Sequence, residues 1–142
     1  MASSKHHIPG SSATRVACAV AALVTLGLGL GLQLFSRTPL IDLAGGVLYT
    51  LLIGMLLCVL APAQPALLAA FMAFAVSSAV ELLQLTSLPA SLVETVPILR
   101  LVLGRSFDAR DFIAYLIGAL AVWLIRSAIG AWSSGNQAET RL

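Results

Sequence analysis

Four long apolar stretches limit what this sequence can fold into. They cover residues 16–35, 43–61, 65–85 and 109–131. A helix that rises about 1.5 Å per residue needs about 20 residues to cross a hydrocarbon core of about 30 Å, which is the length of each stretch. With 59% hydrophobic and 10% charged residues, the chain has too little polar surface to cover a soluble globule. The sequence therefore predicts an all-α integral membrane bundle of four transmembrane helices.

These stretches divide the chain into one transmembrane domain, residues 15–131, and two tails. Residues 1–14 are rich in Ser, His and Gly and are predicted to form a flexible N-terminal tail, and residues 132–142 a polar C-terminal tail. Residues 88–107 are interrupted by prolines and charges and are too broken to span. Because their apolar residues recur at near-helical spacing, we predict a short interfacial or re-entrant helix before the last span.

Small residues recur every four positions on three of the predicted helices. Such ridges let helix backbones approach closely in lipid, so we expect them to be packing surfaces inside the bundle or between copies of the chain. The third ridge leads to Glu81, which we therefore expect to face protein rather than lipid. The ridges consist of Gly27 and Gly31 on the first helix, Gly46, Thr50 and Gly54 on the second, and Ala69, Ala73 and Ser77 on the third.

Ionisable residues collect at one face of the predicted bundle. Five of the six acids and four of the eight bases fall there, and the net charge of +2 is too small and scattered for nucleic-acid binding. The bases divide four against four between the two faces, so the positive-inside rule does not choose an orientation directly. The bases at the face where the acids collect can be held there by their acidic neighbours rather than by the membrane topology. We therefore give more weight to the bases of the other face, which carries the termini, and expect both termini to be cytoplasmic. The residues of the face where the acids collect are Arg37, Asp42, Glu81, Glu94, Arg100, Arg105, Asp108, Arg110 and Asp111.

Glu81 is the centre of the candidate site, because an ionisable group inside a span must be paired, protonated or wetted. Gln84 lies one turn further on the same face of the helix, and Arg37, Arg100 and Asp111 are expected to approach from neighbouring loops and helix ends. Two interpretations stay open. In the first, the residues form a pocket that binds a phosphate or cationic head group or that performs acid and base chemistry. In the second, they form an ion pair or hydrogen bond that fixes helix packing.

Other polar residues have simpler interpretations. Asp108 is expected to cap the last helix, Arg126 to extend to the interface, and Tyr49 and Tyr115 to pack as aromatic side chains or to hydrogen-bond across helices. The two cysteines, Cys18 and Cys58, lack metal-ligand spacing and are predicted to be buried, reduced thiols. No HExxH, GxSxG, CxxC or Walker pattern is present, so the sequence predicts no metal and no cofactor.

Several segments together resemble a known family. They are Gly45 to Tyr49 with Arg37 upstream, Glu81 to Gln84, Leu103 to Asp108, and Asp111 to Gly118. In these segments the chain resembles the VanZ-like group of membrane proteins and, within it, the branch called domain of unknown function 2809, over about residues 15–129.

The resemblance implies a set of site residues. Glu81, Gln84, Asp111 and Gly118 match the group's pattern, Arg100 is nearest to its arginine, and Tyr115 stands where related proteins often carry Asn. The group is associated in part with low-level resistance to glycopeptide antibiotics of the teicoplanin type, which implies a link to the bacterial envelope.

Two function classes follow from these observations. The first is a non-enzymatic, envelope-associated protein of the bacterial inner membrane, whose polar site binds a lipid or antibiotic head group or a membrane partner, with a homo-oligomer also possible. The second is a membrane enzyme that uses Glu81 and Asp111 as acid and base on a lipid-linked or phosphorylated substrate.

Overall fold

The computed structural model describes residues 9–86, 93–99 and 108–139, and these residues form an all-α structure without a strand. Its helices are α1 (Pro9–Leu32), α2 (Pro39–Leu60), α3 (Ala66–Leu83) and α4 (Asp111–Glu139), with a 3-10 helix at Pro97–Leu99. Each α-helix contains a segment long and apolar enough to cross a membrane: Ser12–Leu32, Pro39–Leu60, Ala66–Leu83 and Asp111–Ser133. The prediction of an all-α bundle with four spans is confirmed, and the chain is a multi-pass membrane protein.

The outward faces of these helices are apolar, as a lipid environment requires. Leu23 on α1, Leu67 on α3 and Leu116 on α4 expose 68%, 70% and 64% of their surface. Soluble proteins rarely expose large apolar side chains in continuous patches, whereas lipid tails solvate such a surface.

The first and last helices of the chain extend beyond their predicted bounds. The first helix begins at Pro9, where the fixed backbone angle of proline suits a first turn, and α4 continues to Glu139. Parts of both predicted tails are therefore helical. Thr14 Oγ1 and Ser133 Oγ lie 3.5 Å apart, so the two extensions meet. The predicted interfacial or re-entrant helix falls largely in residues 87–92 and 100–107, outside the described residues.

The α2–α3 turn, residues 61–65, contains two prolines and makes the two helices antiparallel neighbours, as predicted. Arg126 on α4 contacts this turn. Its Nη2 donates to the carbonyl oxygens of Pro62, at 2.6 Å, and Gln64, at 3.2 Å. The guanidinium thus holds the turn against α4, which is a more specific role than the predicted extension to the interface.

The centre of the bundle is the contact between α2 and α4, against which α1 and α3 pack. A Cβ added to Gly118 would lie 2.7 Å from Thr50 Cβ and 2.8 Å from the carbonyl oxygen of Val47. One added to Gly46 would lie 2.7 Å from Ala114 Cβ, and one on Gly54 would collide with Val122. The ridge of small residues on α2 is therefore a packing surface, as predicted.

The ridge on α1 is not used inside the described part of the bundle, which was one of the two uses expected for it. No described atom lies within 4 Å of a Cβ added to Gly27 or Gly31, so this pair makes no close helix contact inside the bundle. The spacing of the pair is correct for packing, but its face of α1 points away from α2 and α4.

The third ridge is buried along its whole length. Ala69, Ala73 and Ser77 are fully buried, and Glu81 exposes 1% of its surface. Thr50 Oγ1 donates to Ser77 Oγ at 2.9 Å, which joins α2 to α3 through a buried hydrogen bond. The prediction that this ridge directs Glu81 at protein is confirmed.

Candidate functional site

Glu81 lies in the last turn of α3, and both of its carboxyl oxygens accept a hydrogen bond. Oε1 accepts from the backbone N–H of Asp108 at 2.6 Å, and Oε2 accepts from the hydroxyl of Tyr115 at 2.7 Å. Neither donor is an arginine. Burying a carboxyl group is costly unless its oxygens are hydrogen-bonded, and these two bonds supply that compensation. Glu81 thereby connects the end of α3 to the start of α4.

The backbone N–H that reaches Glu81 is positioned by a turn at residues 108–111. Asp108 Oδ1 accepts from the N–H of Arg110 at 2.9 Å, and the carbonyl oxygen of Asp108 accepts from the N–H of Asp111 at 3.0 Å. An Asp side chain that bonds the backbone two residues later closes a local turn. Asp108 therefore organises the entry into α4, in agreement with its predicted capping role.

Tyr115, one turn into α4, is fixed by its neighbours as well as by Glu81. It is buried, and its ring centroid lies 6.4 Å from that of Tyr49 on α2 and 6.1 Å from that of Phe112. Aromatic pairs at such separations favour tilted and edge-on arrangements, which both pairs adopt. The hydroxyl of Tyr115 is consequently held towards Glu81, and this is the hydrogen bond across helices that was one of its two expected roles.

Three aspartates lie at the same end of the bundle as this buried pair. Asp111, at the first position of α4, is half-buried and interacts electrostatically with Glu81, Asp108 and Asp42. We call Asp42, Glu81, Asp108, Asp111 and Tyr115 the polar mouth. Its outer carboxyl groups, those of Asp42 and Asp108, are exposed. The polar mouth is thus a buried anchor, formed by Glu81 and Tyr115, beneath a partly accessible acidic surface.

Arg37 lies at the same end of the bundle but does not contact Glu81. Its Nη1 forms an ion pair with Asp42 Oδ1 at 3.0 Å, and its Nη2 donates to Gln33 Oε1 at 3.0 Å. Both Arg37 and Asp42 are exposed, and such surface pairs contribute about 0–1 kcal/mol. The expected approach of Arg37 to Glu81 is wrong, because its partners are Asp42 in the first turn of α2 and Gln33 just after α1.

The remaining predicted site residues lie at the end of α3 or outside the described structure. Gln84 follows α3 directly, is half-buried, and donates its backbone N–H to the carbonyl oxygen of Glu81 at 3.1 Å. Arg100 lies outside the described residues. Within residues 9–86, 93–99 and 108–139, no group of three or more His, Cys, Asp or Glu is placed to hold a metal ion.

Sequence reasoning missed the N–H of Asp108 as a partner of Glu81. The prediction considered only side chains as partners of Glu81 and left out backbone donors. The Asp–x–Arg–Asp pattern of residues 108–111 is nevertheless typical of a turn that exposes a backbone N–H. The buried bond between Thr50 and Ser77 was also missed, because both residues were treated only as small packing groups.

The geometry limits what the polar mouth can do chemically. The oxygens of Glu81 accept hydrogen bonds from Asp108 and Tyr115 and are enclosed, so this carboxyl group joins α3 to α4. Asp111 and Asp108 carry carboxyl groups at the end of the spans beside Asp42, whose charge is balanced by Arg37, and such carboxyl groups attract cations.

Comparison of the sequence with models of known protein families identifies the family of this chain. A sequence model described as a protein of unknown function, DUF2809, matches residues 35–119. The match includes α2, α3, the polar mouth and the first turns of α4. Comparisons with curated proteins and with solved structures give no match. The chain therefore belongs to the DUF2809 family of proteins of unknown function.

Proposed function

We propose that this protein is a non-enzymatic membrane protein whose polar mouth binds a primary ammonium group at the membrane surface. The resemblance to the VanZ-like group supports a location in the bacterial inner membrane and a role in the envelope. The candidate ligand is the ammonium of a phosphatidylethanolamine head group, and an amine of an antibiotic would present the same chemistry. Both termini are proposed to be cytoplasmic.

The observation that carries this proposal is the position of Asp111. Its half-buried carboxyl group lies at the start of a span and within electrostatic range of Glu81, Asp108 and Asp42. Carboxyl groups gathered in this way repel one another, and a cation between them relieves the repulsion. The ammonium of a zwitterionic lipid lies at this depth of the membrane, and the acyl chains of the lipid keep it there.

The contacts of Glu81 favour binding over catalysis. A general acid or base must come within about 3 Å of the proton it transfers, directly or through one water. Glu81 exposes 1% of its surface, and both of its oxygens already accept hydrogen bonds. The alternative remains a membrane enzyme in which Glu81 and Asp111 act as acid and base on a lipid-linked or phosphorylated substrate.

Native mass spectrometry of the protein released from mixed vesicles tests the binding proposal. The wild type should retain phosphatidylethanolamine in preference to phosphatidylglycerol. Asp111→Asn should lower that retention by about fivefold, because it removes an interaction of about 1 kcal/mol with the ammonium. Glu94→Gln is the matched control, since Glu94 is an exposed carboxyl group outside the polar mouth and its loss should leave retention unchanged.

Two results would count against the proposal. Equal retention of the two lipids by the wild type would show that the protein does not prefer an ammonium head group. Equal losses of retention in Asp111→Asn and Glu94→Gln would show that the loss of any negative charge has the same effect, wherever it lies. Glu81→Gln separates the alternatives. Binding predicts that this substitution lowers lipid retention less than Asp111→Asn does, because both oxygens of the buried Glu81 are already engaged, whereas an enzyme that uses Glu81 as its acid or base would lose turnover.

A further inference from the structure

Arg126 carries a positive charge for which the described chain supplies no acidic partner. It is half-buried within the span of α4, level with the α2–α3 turn that it contacts. Four of the six acids form the polar mouth at the other end of the bundle, and Glu94 lies in the connection from α3 to α4, which begins and ends there. Glu139 is thirteen positions further along α4, about 20 Å away at about 1.5 Å per residue. Because a charge within a span needs a counter-charge or water, an anion from outside the chain would stabilise Arg126.

The hydrogen bonds of Arg126 use only one of its three side-chain nitrogen atoms. Nη2 donates to the carbonyl oxygens of Pro62 and Gln64, which carry no net charge. Nε is buried and donates to no described atom, and Nη1 forms no hydrogen bond with a described residue. The thiols at this end of the bundle, Cys18 and Cys58, are buried and free, as predicted, and such thiols are neutral in apolar surroundings. The guanidinium therefore keeps both its charge and donors for a further acceptor.

Gly130, one turn beyond Arg126 on α4, leaves space beside Nη1. A Cβ added to Gly130 would lie 3.3 Å from Nη1, and no described atom of another helix lies within 4 Å of it. Gly130 is nearer than Arg126 to the end of the span at Ser133. Just before that end, Trp132 exposes 57% of its surface, and tryptophan is enriched where membranes meet water. The open side of the guanidinium thus faces the membrane surface rather than its centre.

We propose that Arg126 binds the phosphate group of a membrane lipid at the end of the bundle opposite the polar mouth. Hydrogen bonds from a guanidinium to a phosphate are about twice as strong as those between neutral groups. Lipid phosphates lie at the membrane surface, and basic pockets between transmembrane helices bind lipid head groups. Phosphatidylethanolamine and phosphatidylglycerol carry the same phosphate, so this site does not distinguish them. It is separate from the ammonium site proposed at the polar mouth and does not depend on it.

The test measures lipid retention by the full-length protein in an Asp111→Asn background, which weakens lipid binding at the polar mouth. The vesicles contain equal amounts of phosphatidylglycerol and a glucosyl diacylglycerol, which has two acyl chains but no phosphate. Native mass spectrometry of the released protein should show that phosphatidylglycerol is retained about fivefold more than the glycolipid. Arg126→Gln removes the guanidinium and should abolish this preference.

Gly130→Leu tests the site without removing Arg126. The larger side chain fills the space beside Nη1, whereas the bonds from Nη2 to the α2–α3 turn stay in place. The preference for phosphatidylglycerol should be lost, while amide hydrogen exchange in residues 61–65 stays as in the parent protein. Arg15→Gln is the matched control, since Arg15 is an exposed arginine near the start of α1 at the same end of the bundle. It should leave the preference unchanged.

Four results would overturn the proposal. The first is equal retention of the two lipids by the parent protein, and the second is a preference that survives either Arg126→Gln or Gly130→Leu. The third is an equal loss in Arg15→Gln, which would show that any positive charge at this end attracts the lipid. The fourth is displacement of phosphatidylglycerol by millimolar inorganic phosphate, which would assign the site to a dissolved anion. Because Gly130→Leu keeps the guanidinium, it decides the question even if Arg126→Gln fails to fold.

Discussion

Replacing Gly118 by alanine tests the closest contact between α2 and α4. The new Cβ would lie 2.7 Å from Thr50 Cβ and 2.8 Å from the carbonyl oxygen of Val47. Two carbon atoms in ordinary contact are about 3.5–4.0 Å apart, so the helices must separate by about 1 Å. One of the two opposing atoms belongs to backbone and cannot rotate away. The substitution therefore disturbs the central interface of the bundle.

Two opposing effects set the expected magnitude. Overpacking of a close contact costs about 1–3 kcal/mol. Alanine is about 1 kcal/mol more favourable than glycine within a helix, which offsets part of this cost. We expect Gly118→Ala to lower the free energy of unfolding by up to about 2 kcal/mol. Gly29→Ala is the matched control, because no described atom lies within 4 Å of its added Cβ. It should leave stability unchanged or raise it by up to about 1 kcal/mol.

Unfolding by SDS in mixed micelles, followed by tryptophan fluorescence, measures both variants. Trp123 and Trp132 lie on α4 and report on its packing. The two variants should differ by about 1–3 kcal/mol, which is the cost of overpacking, because the gain in helix propensity is common to both. Equal free energies of unfolding for Gly118→Ala and Gly29→Ala would refute the close α2–α4 contact.

Three further predictions concern the hydrogen bonds that connect the helices. Tyr115→Phe removes a donor to Glu81 and should lower the free energy of unfolding by about 1–3 kcal/mol in the same SDS titration. As a comparison for this variant, Glu81→Gln should cost less than Tyr115→Phe, because an amide keeps one acceptor and gains a donor for the tyrosine oxygen. Thr50→Val preserves shape but removes the bond to Ser77, and should cost about 0.5–1.5 kcal/mol in the same measurement. Arg126→Met releases two carbonyls of the α2–α3 turn and should increase amide hydrogen exchange there by about tenfold.

Each of these predictions has a result that would contradict it. A stability of Tyr115→Phe equal to that of the wild type would mean that the buried carboxyl group finds another donor. A double-mutant cycle of Thr50→Val with Ser77→Ala should show coupling, and strictly additive losses would exclude the bond. Unchanged exchange in Arg126→Met, with Arg126→Lys as the conservative comparison, would mean that the guanidinium does not hold the turn.

The four spans could be predicted because their signal is local and strong. Crossing a membrane requires a fixed length of apolar helix, and the sequence contains that length four times. The burial of Glu81 was predictable for a similar reason. It continues the small-residue ridge of Ala69, Ala73 and Ser77, and a helix places residues four apart on one face.

The partners of Glu81 could not be predicted in the same way. Charge alone favoured an arginine, whereas the described donors are the Tyr115 hydroxyl and the backbone N–H of Asp108. The first depends on the rotation of α4 relative to α3, and the second on a turn before α4. Neither is encoded in spacing along a single helix.

The glycine pair on α1 illustrates a related limit. Gly27 and Gly31 have the same spacing as Gly46 and Thr50, yet only the α2 pair lies against another helix. Periodicity identifies a face that permits close packing, but the neighbour is determined by how all four helices assemble.

The central claim is that four spans bring the polar mouth together at one membrane face. Single cysteines introduced by Arg37→Cys, Ala109→Cys and Ala63→Cys test it, in a background where Cys18 and Cys58 are alanine. All three positions are exposed, and an impermeant thiol reagent reports the side on which each lies. We predict that positions 37 and 109 are labelled from the same side and position 63 from the other. Labelling of positions 37 and 109 from opposite sides would contradict the account.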